Sequence, residues 1–324
     1  MKKVFALRIF LSALATFALT LRVSNSSAAP QDVWFAPPDS IAQRSQDFHK
    51  FFDDPNSWAT AAEHTRVFVT TINYLTEAPK EEVGRALALL RAKGIKVSVM
   101  ISALPVDKRI CGNGVEGMVW PGEVALAARN LLARNVEVDS FSFDLPLTNG
   151  HISRKSGACR FTIRETAQRL AQARSVLHSA YPDAKFVDVE VPTGVPLSEW
   201  TATLSEWLTD FKQASGENFY ALTMDVWWEF PWLDVAQNTL RALHGRGIKG
   251  GIYLDADEGR GARSEIWIAD AERHACAISK LQPAADYVVV ANWLLPTLTN
   301  VPDTDPLSLS GLLRWYAAGR PCSG

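Results

Sequence analysis

The sequence carries almost no net charge and no block of like charge: 33 Lys and Arg stand against 35 Asp and Glu, for a balance of −2. A nucleic-acid partner needs a basic face or stripe, so that class is not expected. Histidine is scarce, with six residues, and none of them forms an H-x-H or H-x-x-x-H pair. No C-x-x-C spacing occurs either. The usual metal-ligand signatures are therefore missing, and neither metal nor cofactor is expected. His151 is essentially the only histidine placed near the predicted site, which argues against a metal-dependent hydrolase or deacetylase. No G-x-S-x-G elbow is present, which argues against a serine hydrolase.

Long apolar runs are also few. The run from Val4 to Leu21 is interrupted by Arg8 and is short for a span of about 20 residues. Lys2 and Lys3 precede it, and small residues follow, with Ser26 and Ala28 meeting a small-x-small rule. This layout predicts a secretory signal peptide over residues 1–28 and a periplasmic or secreted mature chain of residues 29–324. The alternative is a membrane anchor. No later segment is long and apolar enough to cross a membrane. Four cysteines in an exported chain imply two disulfides and allow three pairings. Cys111 with Cys159 is favoured, because both fall in loops after neighbouring strands, which leaves Cys276 with Cys322.

What is present is a repeated junction. Leu90–Ser102 reads LRAKGIKVSVMIS and Leu243–Asp255 reads LHGRGIKGGIYLD. Each has a basic helix end, a Gly suited to a left-handed cap, an Ile-Lys pair and a strand. A third junction, LARNVEVDSFSFD, uses Asn135 where the others use Gly. Eight strands are predicted, at Val33–Ala36, Arg66–Thr71, Lys96–Ser102, Val138–Asp144, Phe186–Val191, Tyr220–Val226, Gly251–Asp255 and Tyr287–Asn292. Helical patterns fall near 80–93, 122–134, 162–180, 199–214, 234–245, 264–281 and 308–317. Alternating units in this number predict a (β/α)8 TIM barrel. The alternative, a doubly wound open sheet, would need a phosphate-binding glycine turn after its first strand, where this chain has WFAPPDS. No linker divides the mature chain, so one domain and a monomer are expected.

Barrel chemistry sits at the C-terminal ends of the strands. Those ends carry Asp39 after strand one, Asn73 after strand two, Asp144 on strand four, Glu190 on strand five, Asp225 on strand six and Asp255 on strand seven, followed by Asp257 and Glu258. Period-two alternation puts Asp144 with Ser140 and Ser142, Asp225 with Ala221 and Thr223, and Asp255 with Gly251 and Tyr253. In each strand the opposite face is apolar and suits the helix layer. Asp144, Asp225 and Asp255 are thus expected to converge on the barrel axis, with Glu190 joining them through Asp188. The alternative is that these acids cap helices or pair with arginines such as Arg154, Arg260 and Arg263. Of the 11 tryptophans, Trp34, Trp120, Trp227, Trp228, Trp232 and Trp293 fall at or just past strand ends. Trp200, Trp207 and Trp267 lie at helical spacing and suit packing. Carboxylates bind sugar hydroxyls and indole faces stack on sugar rings, so this combination reads as a carbohydrate site. Asp144 with Asp225 is the favoured catalytic pair for glycoside hydrolysis, with Asp255 and Glu190 next. Trp34, Asp39, Asn73, Glu116, Trp227 and Trp293 are the candidate substrate contacts.

Several of these segments carry a resemblance. The export signal, WFAPPDS, CGNGVEG (Cys111–Gly117) and the Asp-x-Pro after strand four resemble a group of exported bacterial barrel proteins related to glycoside hydrolases. The strand-four motif of that group is often Asp-Glu-Pro, and Leu145 stands here in the Glu position. If that Glu does the chemistry in the group, the resemblance implies altered or lost activity here; it also marks Glu116 as a substrate-binding acid. A strand-four nucleophile with a strand-six acid is similar to the layout of barrel glycosidases acting on α-linked sugars. The expected function is hydrolysis of a poly- or oligosaccharide by paired carboxylates; the alternative is a carbohydrate-binding barrel that has lost its catalytic acid.

Overall fold

Three of the helix-to-strand passages close in the same way, and together they set the spacing of the barrel. In the helix Lys80–Ala92 (α1) the amide of Ile95 reaches back to the Leu90 carbonyl and that of Gly94 to Arg91. Val136 and Asn135 repeat this after the helix Glu123–Ala133 (α2), and Ile248 and Gly247 after the helix Trp232–His244 (α5). The residue in the left-handed region is Gly94 at φ +69°, Asn135 at +57° and Gly247 at +71°. Ile95, Val136 and Ile248 are buried, so each cap pins the chain onto the core as it turns into a strand.

The computed structural model describes residues 32–39, 47–257, 263–293, 298–319 and 322. The expected signal segment lies outside these residues, as do Glu258 and Arg260. Eight parallel strands close into a barrel: β1 (Asp32–Ala36), β2 (Thr65–Thr71), β3 (Lys96–Ile101), β4 (Ser140–Asp144), β5 (Lys185–Glu190), β6 (Ala221–Met224), β7 (Lys249–Leu254) and β8 (Tyr287–Ala291). Their order around the barrel is β1-β8-β7-β6-β5-β4-β3-β2. The remaining long helices are α3 (Ile163–Ala180), α4 (Leu197–Ser215), α6 (Ser264–Ile278) and α7 (Leu309–Ala317). The crossover from β1 to β2 contains short helices at Lys50–Asp53 and Ala59–His64 that the sequence pattern did not suggest. Pro55 interrupts any helical period there.

Two apolar layers result. The outer one, between sheet and helices, holds Phe141 and Phe143 of β4, Leu222 and Met224 of β6, and Ile252 and Leu254 of β7. The lumen holds Trp34, Val67, Val69, Tyr253, Tyr287 and Val289. Ser98 and Ser142 hydrogen-bond across it at 2.9 Å, and Thr223 meets the Tyr287 hydroxyl at 2.7 Å. Gly251 is required here, because a Cβ would overlap the Tyr287 ring.

β5 departs from the expected sense. Val187 and Val189 fill the lumen, while Phe186 faces the helices and Asp188 and Glu190 share its parity. The expectation that Glu190 reaches the barrel axis through Asp188 is thereby corrected. A parallel strand is buried on both faces, so polar alternation alone does not say which face is inward.

Candidate active site

Asp144 is the last residue of β4, and Asp225 lies just beyond β6, tied back by its amide to the Glu190 carbonyl at 2.8 Å. Both are partly exposed. Burial pushes the Asp144 carboxyl up to about 8, with further contributions from the charges of Glu116, Asp225 and Glu190. Asp144 and Asp225 thus stand near enough at this end of the barrel for their charges to interact. Tyr253 sits beneath them: burial holds its phenol well above the ordinary value, and the charges of Asp225, Asp144 and Asp255 push in the same direction.

Glu116 reaches this group because of a glycine. Gly117 has φ +74° and packs so closely on the Asp144 carbonyl oxygen that any Cβ would overlap it. The exposed Glu116 is thus carried over the end of β4. The loop is anchored on its far side by the Cys111–Cys159 disulfide and by the Gly112 amide on the Gly157 carbonyl at 2.7 Å. The second disulfide joins Cys276 to Cys322. Leu145 follows Asp144 in the left-handed region at φ 50°. Its amide bonds to Val189, and its side chain is buried in the lumen cluster.

A cleft of about 320 Å³ opens beside these acids, walled by Asp225, Trp227, Asp255, Asp257 and Trp293. Trp227 is 41% exposed and leans on Phe230 at 5.7 Å, so it offers an open aromatic face. Trp293 stands edge-on to Tyr253 at 5.3 Å. Trp228 is buried, stacks on His274 at 3.9 Å and donates its indole N–H to Asp255 at 2.6 Å. Asp255 is therefore held at the cleft wall by Trp228.

Other sequence candidates lie elsewhere. Glu190 is fully buried behind β5, accepting from the Leu147 amide at 2.6 Å and from the Thr148 amide and hydroxyl at 2.8 and 2.6 Å. It does not face the cleft. Asp39 is buried, accepts from the Thr70 hydroxyl and, at 2.7 Å, from the Thr71 amide, and is raised by desolvation; it joins the end of β1 to β2. Trp34 is only 5% exposed and stacks on Tyr287 at 4.3 Å, so it fills the lumen. These placements replace the substrate contacts expected of Trp34 and Asp39 with packing roles. Asn73 is exposed in the short helix Ile72–Glu77 after β2.

His274 was missed in the sequence, where only His151 was placed near the mouth. It arrives from α6, with Nδ1 donating to the Asp255 carbonyl at 2.8 Å. Asp257, Asp270 and His274 bring donor atoms within 4.8 Å of one another, a set that could hold a cation. Arg273 already pairs closely with Asp270. The i, i+4 spacing of Asp270 and His274 on one helix was the available signal. His151 instead bonds to the Phe161 carbonyl at 2.7 Å.

Solved structures with the same architecture are numerous. A thermostable mutant of the xylanase Xyn10A from Cellvibrio japonicus aligns at TM-score 0.54 and 10% identity, over 90% of this chain and 99% of that one. Native xylanase 10B from Thermotoga maritima aligns at TM-score 0.52 and 10% identity, over 91% and 97%. A psychrophilic family 10 endo-β-1,4-xylanase aligns at 0.50 and 12%, over 86% and 96%. The chain shares the (β/α)8-barrel fold of these structures. The sequence matches no protein-family model and no curated protein. At such identity the shared property is the fold. Among the described residues, no helix is long and apolar enough to cross a membrane.

Proposed function

We propose that this barrel hydrolyses a glycosidic bond of a poly- or oligosaccharide, with Asp144 as general acid and Asp225 as the opposing carboxylate. The observation that carries the reading is the placement of Asp144 at the end of β4 and of Asp225 just beyond β6, on the lumen-facing parity of Ser142 and Thr223, with burial and then neighbouring charges pushing the Asp144 carboxyl up to about 8. A protonated carboxyl at neutral pH facing a second acid is what glycosidic bond cleavage requires. This favours Asp144 as the acid rather than the nucleophile. The Trp227 face and the edge of Trp293 would receive sugar rings, and Glu116 and Asp255 would bind hydroxyls. The proposed chain is exported, loses residues 1–28, folds as one domain over 29–324 and acts as a monomer.

A second reading rests on Leu145. Its side chain is buried in the lumen, at the position where the group resembled in sequence often has Glu, so β4 offers one carboxyl rather than two. On that reading the cleft binds glycan without cutting it. A polysaccharide panel that includes xylan, scored by release of reducing ends, separates the two. Hydrolysis lost in Asp144→Ala and Asp225→Ala, with binding retained, supports the hydrolase. Binding by the unmodified protein without any reducing-end release overturns it.

A further inference from the structure

Glu190 contacts the turn that follows Asp144 and the backbone of Asp225 without entering the cleft. Its carboxylate takes three donors from the turn that follows Asp144: the amides of Leu147 and Thr148 and the Thr148 hydroxyl, all within 2.8 Å. The same hydroxyl accepts from the Val191 amide at 3.2 Å, which closes a ring between β5 and the turn. On the other side, the main-chain carbonyl of Glu190 receives the Asp225 amide at 2.8 Å. One residue earlier, the Val189 carbonyl receives the amide of Leu145, whose left-handed backbone reverses the chain immediately after Asp144. The end of β5 thus grips β4's turn with one hand and the start of the β6 loop with the other.

A fully buried carboxylate with three donors is well satisfied, but its desolvation still needs an offset. Among the described residues no cation pairs with it. Its neighbour on the same strand face is Asp188, also fully buried, which accepts the Trp207 indole N–H at 2.7 Å through one oxygen. The other oxygen of Asp188 is buried and meets no hydrogen-bond donor among the described residues. Burial and then the charge of Glu190 push Asp188 well above the ordinary range. Burial raises Glu190 too, while the Thr148 and Leu147 donors oppose that rise.

We propose that Glu190 is a positioning residue that sets Asp144 and Asp225 at their working separation. This rests on the hydrolase reading for its effect on rate, but the clamp itself is tested without any substrate.

Glu190→Gln keeps the shape and turns an NH2 group toward donors. The expected result is kcat lower by about 100-fold with KM nearly unchanged, because a displacement of about 1 Å in a reacting group has that consequence. Amide hydrogen exchange at Leu147 and Thr148 should accelerate by about 10-fold, while β1 and β8 stay protected. Thr148→Val removes one of the three donors and keeps both amides, and it serves if Glu190→Gln does not fold; its expected loss in kcat is about 10-fold. Unchanged kcat in Glu190→Gln, or in Thr148→Val where that variant stands in, overturns the positioning role, as does a change confined to KM. Unchanged exchange at Leu147 and Thr148 overturns the clamp. Absence of hydrolysis in the unmodified protein overturns the hydrolase reading and with it the effect on rate, while the exchange measurement still decides the clamp.

Discussion

Gly117 packs against the main-chain carbonyl of Asp144 with no room for a side chain between them. This contact brings the loop closed by Cys111 and Cys159 onto the end of β4, and with it the charge of Glu116 onto Asp144. Gly117→Ala should cost about 2–4 kcal/mol, combining overpacking with the positive φ. Gly114→Ala, three residues earlier at φ +69° with open space around it, should cost only about 1 kcal/mol. Urea unfolding of the two variants checks the difference.

The Asp144 carboxyl has a pH signature of defined sign. Its ordinary value is 3.8 and its folded value is about 8, so the fold favours the neutral form. The stability it contributes is complete below about 4 and is lost as the pH rises through about 8. Asp144→Asn should therefore lose less stability than the unmodified protein between about pH 4 and pH 8, measured as the shift in thermal midpoint. Hydrolysis by the unmodified protein should decline above about pH 8, where the acid form disappears.

Two adjacent tryptophans should respond oppositely. Trp227→Ala removes an exposed face and should weaken oligosaccharide binding by about 10-fold, with stability within about 0.5 kcal/mol. Trp228→Phe removes the indole donor to Asp255 and should cost about 1–3 kcal/mol of stability. Calorimetric titration paired with thermal unfolding distinguishes them.

The lumen should tolerate little. Gly251→Ala would push a methyl into the Tyr287 ring and should destabilise by about 1–3 kcal/mol. Tyr287→Phe loses the bond to Thr223 and should cost about 1 kcal/mol. Trp34→Phe should likewise alter the unfolding midpoint while leaving glycan affinity unchanged, because Trp34 stacks inside the barrel.

Much of the architecture was legible because it rests on local chemistry. The Gly-Ile-Lys repeat marks the cap at Gly94 and Gly247, and both adopt the left-handed turn. All eight strands form within a residue or two of the periods that mark them. The alternation of Asp144 with Ser142, and of Asp225 with Thr223, points into a barrel whose lumen holds Ser142 and Thr223. The same rule misled at Glu190, and strand-end position alone misplaced Trp34 and Asp39. Both faces of β5 are buried, and the valines there occupy the lumen. His274 was hidden because it comes from the middle of a helix, and only packing under Trp228 brings it to the cleft.

Strand positions, the capped helix ends at Gly94, Asn135 and Gly247, and the shared parity of Asp144 with Ser142 and of Asp225 with Thr223 were written in the sequence, since capping and two-residue alternation act over a few neighbouring positions. The side on which Glu190 lies, and the loop that sets Glu116 over Asp144, were decided only when the barrel closed. Those outcomes depend on which buried surface each side chain meets, and on how closely one backbone can approach another, across dozens of residues of intervening chain.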